Sequence, residues 1–364
     1  MASDEATGSS SQELGVVAES DTGCREAFSR SADTNVRLPH APSLFRGMTP
    51  LPVAAGELIP GCQDHEIAAI VALLRSQLIP FAKLASAIDF HGSAVELVQL
   101  SDRDELELGD AEEDLVGAVT PEHLGSAFAD LRKWRAAGMD IRTVLDDSYP
   151  RRLHSIFNRP PLLFVRGDWN DEKFRSPIAI VGTRKASDDG KRRAQRLARE
   201  LVEAEYSILS GLALGIDTVA HRTALDTVGP TAAVIGTGIL RQFPKENMAL
   251  ADEIVSSGGA IVSQFLPEQP PTSWTFPMRN VVMSGMSLAT VVVEAGATSG
   301  ARLQARVALQ HGRTVFLLHS LVQSHEWARD YVEKGAYGTH AIEIRATAEI
   351  LDRLSAEAPS LIWA

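Results

Sequence analysis

The sequence predicts an α/β protein in which a Rossmann-like parallel sheet follows a small N-terminal all-α domain. Two observations predict the sheet: short runs rich in Val, Ile and Ala after residue 160, and segments of helical periodicity between those runs. This alternation is typical of a parallel sheet whose two faces are covered by helices. Before residue 138 the apolar residues recur mainly at helical spacing, which predicts the all-α domain.

The N-terminal part of the chain changes character after about residue 60. Residues 1–60 are rich in Ser, Ala, Asp, Glu, Gly and Pro, a composition that predicts a disordered acidic extension. Residues 64–137 predict the small helical domain, with short helices interrupted at His91-Gly92 and a last helix over 122–137. The acidic stretch 102–114 within this domain predicts a solvated connection.

The predicted sheet occupies residues 145–345, and a C-terminal helix or tail is expected over 346–364. In chain order, strands are expected at 162–165, 178–181, 207–210, 232–236, 260–263, 288–294, 314–318 and 341–344. Helices are expected between them at about 188–204, 217–227, 247–256 and 301–311.

Net charge is unevenly distributed along the chain. The formal charge is −12, yet residues 176–345 carry 17 Lys and Arg against 16 Asp and Glu. The acidic total argues weakly against general nucleic-acid binding, whereas the balanced core leaves room for a local phosphate site.

The sequence contains no candidate membrane span. Its longest apolar run, residues 67–74, is far shorter than the ~18–20 residues that a membrane-spanning helix needs. The polar, acidic N-terminus also differs from a secretory signal. We therefore expect a cytoplasmic protein with no membrane partner.

Turns rich in Gly, Ser and Thr follow four of the predicted strands, at 182–187, 210–217, 236–238 and 295–300. Because the carboxyl ends of parallel strands meet at one edge of the sheet, these turns are expected to form one phosphate-binding rim. Each glycine taken alone also fits a purely structural turn. Arg184 lies at a strand end beside a predicted helix N-terminus, where its guanidinium can hold a phosphate through two hydrogen bonds.

The familiar motifs of several enzyme classes are missing from the sequence. Gly236-Thr237-Gly238 begins a dinucleotide fingerprint, but Arg241 stands where its third glycine belongs. Neither a P-loop nor a nucleophile elbow occurs. The core histidines His221, His311 and His319 lack metal-ligand spacing and are expected to be structural. We therefore expect no cofactor, no metal and no catalytic residue.

The densest basic run of the chain begins at Arg184 and continues along the next predicted helix, with Lys185, Lys191, Arg192, Arg193, Arg196 and Arg199. For Arg196 and Arg199 the favoured interpretation is a solvated helix face whose side chains extend around an apolar stripe.

The glycine-rich turns, in this order, resemble the DprA/Smf family of single-stranded-DNA-binding recombination mediators. The matching segments are IAIVGTRKAS (178–187), ILSGLALGIDTVAH (208–221), AAVIGTGILRQFPKEN (232–247), FPMRNVVMSGMS (276–287) and VVVEAGATSGARLQARVALQHGRTVF (291–316). The lead-in DDSYPRRLHSIFNRPPLLFVRGD (146–168) is similar too. The resemblance covers roughly residues 64–345.

The resemblance implies an extended Rossmann fold of the SLOG-like kind, with an N-terminal module similar to SAM or helix-hairpin-helix domains. It implies a protein that binds and protects single-stranded DNA and helps to load the RecA recombinase, in DNA recombination and in natural transformation of competent cells. A homodimer formed through the Rossmann core is also implied.

Carried over by motif, the resemblance implies that Arg184 binds a backbone phosphate, that Phe276 stacks on a base, and that Arg279-Asn280 closes the site. The further DNA-binding candidates, all in or beside the same turns, are Gly182, Thr183, Lys185, Ser210, Gly211, Gly238, Ser299, Gly300 and Arg302. Trp274 is a second stacking candidate. Both Trp274 and Phe276 also fit ordinary core packing.

The sequence departs from the family pattern at two basic positions, where it has Leu214 and Val281, and both losses lower the expected phosphate affinity. The family's SGSLxTA reads Ser299 to Ala305 as SGARLQA here. The C-terminal winged helix of many members is not expected, because the chain ends at Ala364.

Two other functions remain open from the sequence. One is a SLOG/LOG-like nucleotide sensor or N-glycosidic hydrolase that uses Glu294, although the PGGxGTxxE signature is absent and Glu294 can instead pair with Arg302. The other is a scaffold whose acidic N-terminal third contacts a basic protein.

Overall fold

The structure is a computed structural model that describes residues 58–76, 80–100, 119–241 and 243–361. Most of the predicted acidic extension and the stretch 102–114 lie outside the described residues. Within these ranges four helices precede the sheet: α1 (Gln63–Ser76), α2 (Phe81–His91), α3 (Ala94–Leu100) and α4 (Pro121–Ala136). The predicted interruption at His91-Gly92 is confirmed, since Gly92 ends α2 with a left-handed φ of 72°.

The sheet contains nine strands in the described part of the chain: β1 (Asp140–Thr143), β2 (Leu162–Gly167), β3 (Pro177–Val181), β4 (Ser207–Ser210), β5 (Thr231–Val234), β6 (Ala260–Ser263), β7 (Ala289–Val292), β8 (Thr314–Leu318) and β9 (Ile342–Ile344). The helices among and after them are α5 (Arg151–His154), α6 (Asp188–Glu203), α7 (Ile216–Asp226), α8 (Met248–Ser256), α9 (Thr275–Met286), α10 (Gly300–Gln310), α11 (His319–Ser324), α12 (Glu326–Glu333) and α13 (Thr347–Leu361).

The strands lie in the order β1-β2-β6-β5-β4-β3-β7-β8-β9. From β6 to β9 all neighbours are parallel, which confirms the Rossmann-like α/β fold. The expectation of an entirely parallel sheet is wrong at one edge, where β2 runs antiparallel to β6 and β1 antiparallel to β2. An apolar run predicts that a strand is buried but carries no information about its direction.

The central strands are covered on both faces, and alternate residues of β3 show how. Ile178 and Ile180 belong to one apolar cluster with α6, α7 and α13, whereas Ala179 and Val181 belong to the cluster on the opposite face. All four side chains are at most 3% exposed. Because side chains alternate along a strand, this double burial anchors β3, and with it the turn over residues 182–187 that follows (the β3 turn), between two packed layers.

The N-terminal helices pack against the antiparallel edge of the sheet. Trp134 of α4 meets Phe164 of β2 edge to face, with ring centroids 5.2 Å apart. Inside the helical part, the buried Glu66 carboxylate accepts hydrogen bonds from Ala94 N (2.6 Å) and Val95 N (3.1 Å), so it satisfies the N-terminus of α3. Whether residues 64–137 form a separate domain stays a prediction.

None of the helices in the described ranges is long and apolar enough to cross a bilayer.

Candidate functional site

A cavity of about 470 Å³ opens where β3 and β7 end. The chain leaves β3 toward β4 on one side of it, while β7 lies on the other side, so this is a point where the strand order reverses. Ligands of open α/β sheets bind at such points. Of the residues predicted from the sequence, Gly182, Thr183, Arg184, Phe276, Arg279, Asn280, Ser299 and Gly300 line the cavity.

The β3 turn is held by a backbone hydrogen bond and by close packing, and Arg184 extends from it. Thr183 N donates to Glu294 O at 2.7 Å. Gly182 lies so close to Ile216 that an added Cβ would come within 2.4 Å of Cγ1. The exposed Arg184 guanidinium lies 5.3 Å from the centre of the Phe276 ring and forms no ion pair with any described carboxylate. Arg184 therefore presents an uncompensated charge next to an aromatic ring.

Arg279 supplies a second cation from α9. Its Nη1 donates to Val234 O at 2.9 Å, and its Nε has no partner among the described residues. Burial lowers the pKa of Arg279, the charge of Arg184 lowers it further, and the carboxylate of Asp217 opposes both effects. Two guanidinium groups that repel each other at one cavity favour the arrival of an anion.

Gly211 makes room for Arg279, and the carboxylate of Asp217 interacts with its charge. An added Cβ on Gly211 would come within 1.5 Å of Arg279 Nη1, so the guanidinium occupies the space that a side chain would need. The Asp217 carboxylate accepts from Gly211 N (3.1 Å) and Ala213 N (3.3 Å). Burial raises the pKa of Asp217, while Arg279 and these hydrogen bonds pull it down. Gly211 thus serves the site through Arg279 rather than by lining the cavity.

Phe276 forms an aromatic wall of the cavity. An added Cβ on Gly236 would come within 2.6 Å of Phe276 Cδ1, so the glycine admits the ring. Phe243 lies 5.9 Å from Phe276 between ring centroids and is 38% exposed. Sequence reasoning missed Phe243, although an aromatic residue shortly after the third glycine-rich turn was a usable signal. The two rings form a surface on which flat groups can stack.

Gln304 of α10 is a further residue that sequence reasoning missed. It lines the cavity and is 1% exposed, yet neither its amide oxygen nor its amide nitrogen has a partner among the described residues. Leaving such a group unpaired costs about 1–3 kcal/mol. A polar residue between Ala301 and Ala305, on the inward face of the helix, was the available signal. This donor and acceptor in the cavity wall are therefore available for hydrogen bonds to a ligand.

Asn280, Ser299 and Gly300 also line the cavity. Ser299 begins α10 by accepting a hydrogen bond from Ala301 N at 3.2 Å. Asn280 Nδ2 lies 3.5 Å from Gly300 O. Gly300 has open space where a side chain would project.

Several predicted site residues do not reach the cavity. Ser210 is fully buried and donates to Ile180 O at 2.6 Å, so its hydroxyl is used internally. Gly238 packs against the chain after β6, where an added Cβ would lie 2.2 Å from Leu266 O. Lys185 is exposed and does not line the cavity.

Arg302 and Trp274 do not line the cavity either. Arg302 donates to Ala297 O at 2.9 Å and lies 5.7 Å from the Trp327 ring. Trp274 is 48% exposed and packs edge to face on Phe265 at 5.7 Å. Their roles in DNA binding stay predictions.

The two positions that depart from the family pattern differ in environment. Leu214 is 37% exposed and Val281 is half-buried against the core. Leu214 therefore leaves an apolar surface near the cavity where the family pattern has a cation.

The carboxylate of Glu294 forms structural hydrogen bonds with Ser187. Its Oε2 accepts from Ser187 N (3.1 Å) and Ser187 Oγ (3.0 Å) at the start of α6. The alternative pairing of Glu294 with Arg302 is not formed, because Arg302 donates to a backbone carbonyl instead. The only carboxylate lining the described cavity is Asp217.

The core histidines have structural partners. His221 Nδ1 lies 2.8 Å from Thr231 Oγ1, and burial, with a smaller effect of Arg279, lowers the pKa of His221 to about 3. Burial likewise lowers the pKa of His311 to about 4. In the part of the chain that the structure describes, no three His, Cys, Asp or Glu residues gather closely enough to hold a metal ion.

The fold and the cavity together define a Rossmann-like α/β protein with a cationic, aromatic cavity at the carboxyl edge of its sheet. Residues 140–350 match the family described as DNA recombination-mediator protein A, and the chain belongs to that family.

Curated relatives match about half of this chain. It is 36% identical over 186 residues to the DNA processing protein DprA of Bacillus subtilis, covering 51% of this chain and 62% of the relative. It is 39% identical over 176 residues to DprA of Streptococcus pneumoniae, covering 48% and 61%. The chain thus spans about three fifths of the length of these relatives.

Solved structures show the same fold. The DprA structure from Streptococcus pneumoniae is 29% identical with a TM-score of 0.59, covering 78% of this chain and 96% of that one. DprA from Helicobacter pylori, studied for its single-stranded DNA binding mode, is 24% identical with a TM-score of 0.53, covering 60% and 96%.

Proposed function

We propose that this protein binds single-stranded DNA in the cavity at the β3–β7 edge. It acts as a non-catalytic recombination mediator that protects the strand and helps to load the RecA recombinase, including during natural transformation. Membership of the recombination-mediator family supports this role. A cytoplasmic location and a homodimer formed through the Rossmann core belong to the same proposal.

The observation that carries the proposal is the meeting of three kinds of group in one cavity. Arg184 and Arg279 offer positive charge for a phosphate. Phe276 offers a ring for stacking, and Gln304 offers an adjacent donor and acceptor that have no partner in the described chain. A phosphate, a flat face and a polar edge are together the features of one nucleotide.

Single-stranded rather than duplex DNA fits these groups. A base edge and a base face are free together only where the strand is unpaired and unstacked. A primary amide such as that of Gln304 recognises a base edge through two hydrogen bonds. The N-glycosidic hydrolase is not supported, because Glu294 is bound to Ser187 outside the cavity.

Fluorescence anisotropy with three labelled probes of equal length tests this function: oligo-dT, an abasic strand and a duplex. We expect oligo-dT to bind most tightly, the abasic strand less tightly because stacking and base-edge bonds are lost, and all binding to weaken as salt rises. Gln304→Leu should lower the ratio of the affinity for oligo-dT to the affinity for the abasic strand about tenfold.

Gln310→Leu is the matched control, because Gln310 is an exposed residue of the same helix. It should leave the preference unchanged. Equal affinity for oligo-dT and duplex, or an affinity that does not change with salt concentration, would contradict the proposal. Binding of free mononucleotides without strand binding would instead favour a nucleotide sensor.

A further inference from the structure

A second cavity, of about 410 Å³, opens at the carboxyl ends of β8 and β9 against one side of α6. We call it the α6–β9 groove and define it by Arg193, Arg196, Glu200, Ser320, Arg345 and Thr347. It includes part of the basic run that the sequence singled out and that the first cavity does not use. Arg193, Arg196 and Glu200 share one side of α6 because they lie three and seven residues apart.

The arginines of the groove form no ion pair with a described carboxylate. Arg193 donates to the neutral Ser320 Oγ at 3.0 Å. The side chains of Arg196 and Arg345 form no ion pair with any carboxylate that the structure describes. Earlier in the same helix the pattern differs, since Lys191 pairs with the carboxylate three residues before it at 3.2 Å. Of the three α6 cations without an ion pair to a described carboxylate, Arg193 and Arg196 line the groove and Arg199 does not.

The carboxylates near the groove are engaged by other groups. Glu200 accepts a hydrogen bond from the Thr347 hydroxyl. Glu343 is bonded to His319. Glu349 accepts from Arg345 N (3.0 Å) and Ala346 N (3.1 Å) at the start of α13. These hydrogen bonds leave the carboxylates charged, but of the three only Glu200 lines the groove. Three arginines against this one carboxylate give the groove lining a net charge of +2, which attracts anions.

The groove and the first cavity lie on the same edge of the sheet. The first cavity lies where β3 and β7 end, and the groove lies where β8 and β9 end. In the strand order β3-β7-β8-β9 these positions are two strand spacings apart, about 10 Å along the sheet, and α10 of the first cavity and α6 of the groove pack on opposite faces of the sheet. One extended nucleic-acid strand can therefore reach both.

We propose that the α6–β9 groove is a second phosphate-binding site that holds the backbone of the strand whose nucleotide occupies the first cavity. The inference rests on the proposed function. No Phe, Tyr or Trp lines the groove, so its contacts are made to phosphates and not to bases. Guanidinium groups match phosphate oxygens in geometry as well as in charge.

The test reverses two charges and varies strand length. Arg196→Glu with Arg345→Glu should weaken binding of oligo-dT of about 16 nucleotides roughly tenfold at low salt, and should reduce the slope of log K against log salt by ~0.7 for each lost phosphate contact. An oligo-dT of only about 2 nucleotides, which is too short to extend from the first cavity to the groove, should bind the variant and the parent protein equally.

Arg199→Glu is the matched control, since Arg199 is an exposed arginine of α6 that does not line the groove. It should leave both lengths unaffected, and thermal melting should show all variants folded. If the double reversal changes long-strand binding no more than Arg199→Glu does, the second site is refuted while the proposed function stands. If the parent protein binds neither length, both are refuted.

Discussion

Arg184→Ala should lower the affinity for single-stranded DNA about ten- to hundredfold, across all sequences. The side chain is exposed, forms no ion pair with a described carboxylate and lies beside the Phe276 ring, so its charge is available to a phosphate. A charge-assisted hydrogen bond contributes about 1.5–3 kcal/mol, and each 1.4 kcal/mol is a factor of ten in affinity. Anisotropy with oligo-dT and a mixed-sequence strand measures the loss.

Arg199→Ala serves as the control, because it removes the same charge from an exposed site outside the cavity. It should change affinity less than twofold. Unchanged affinity in Arg184→Ala would remove Arg184 from the site. Loss at one sequence but not the other would show that the residue reads bases.

Arg279→Met should lower the free energy of unfolding by about 3 kcal/mol or more. The substitution leaves the buried carboxylate of Asp217 without its opposing charge and removes the bond to Val234 O. Adding Asp217→Asn should recover part of the loss, so that the double variant is about 1–2 kcal/mol more stable than the two single effects predict. Urea unfolding of the four proteins measures this coupling.

The sign of the pH dependence follows from the same charge interaction between Arg279 and Asp217. Without Arg279, the pKa of Asp217 rises further above its usual value, so the folded state binds a proton that the unfolded state releases. The stability deficit of Arg279→Met should therefore shrink as pH falls from about 8 to about 5. A deficit that is constant with pH and additive with Asp217→Asn would mean that the two side chains do not interact.

Most of the sheet was predictable, because its strands are short apolar runs buried on both faces. The predicted strand over 178–181 and the predicted helix over 188–204 each agree with the structure to within one residue. The strand β1 was not predicted: its four residues, DIRT, contain a single Ile. Helix α9 lay inside a recognised motif, yet its Pro277 and Gly285 weaken helical periodicity. Tertiary packing decides such segments.

The site was predictable where position in the fold decides the role. Arg184 follows a buried strand, so its place at the sheet edge could be read directly. Ser210 also lies at a strand end, but its hydroxyl donates to Ile180 O. The sequence does not reveal the partner of a buried hydroxyl. The side-chain amide of Gln304 stands out because it has no hydrogen-bond partner among the described residues. This can be determined only from the positions of the neighbouring helices and strands, which the sequence does not give.

Hydrogen–deuterium exchange with and without oligo-dT tests the central claim, that a single strand occupies the cavity at the β3–β7 edge. We predict that the strand slows exchange in peptides covering 182–187, 276–280 and 296–304, which contain the cavity residues. Peptides from α1 and α4 should exchange unchanged. Protection confined to those helices, with the cavity peptides unaffected, would contradict the account.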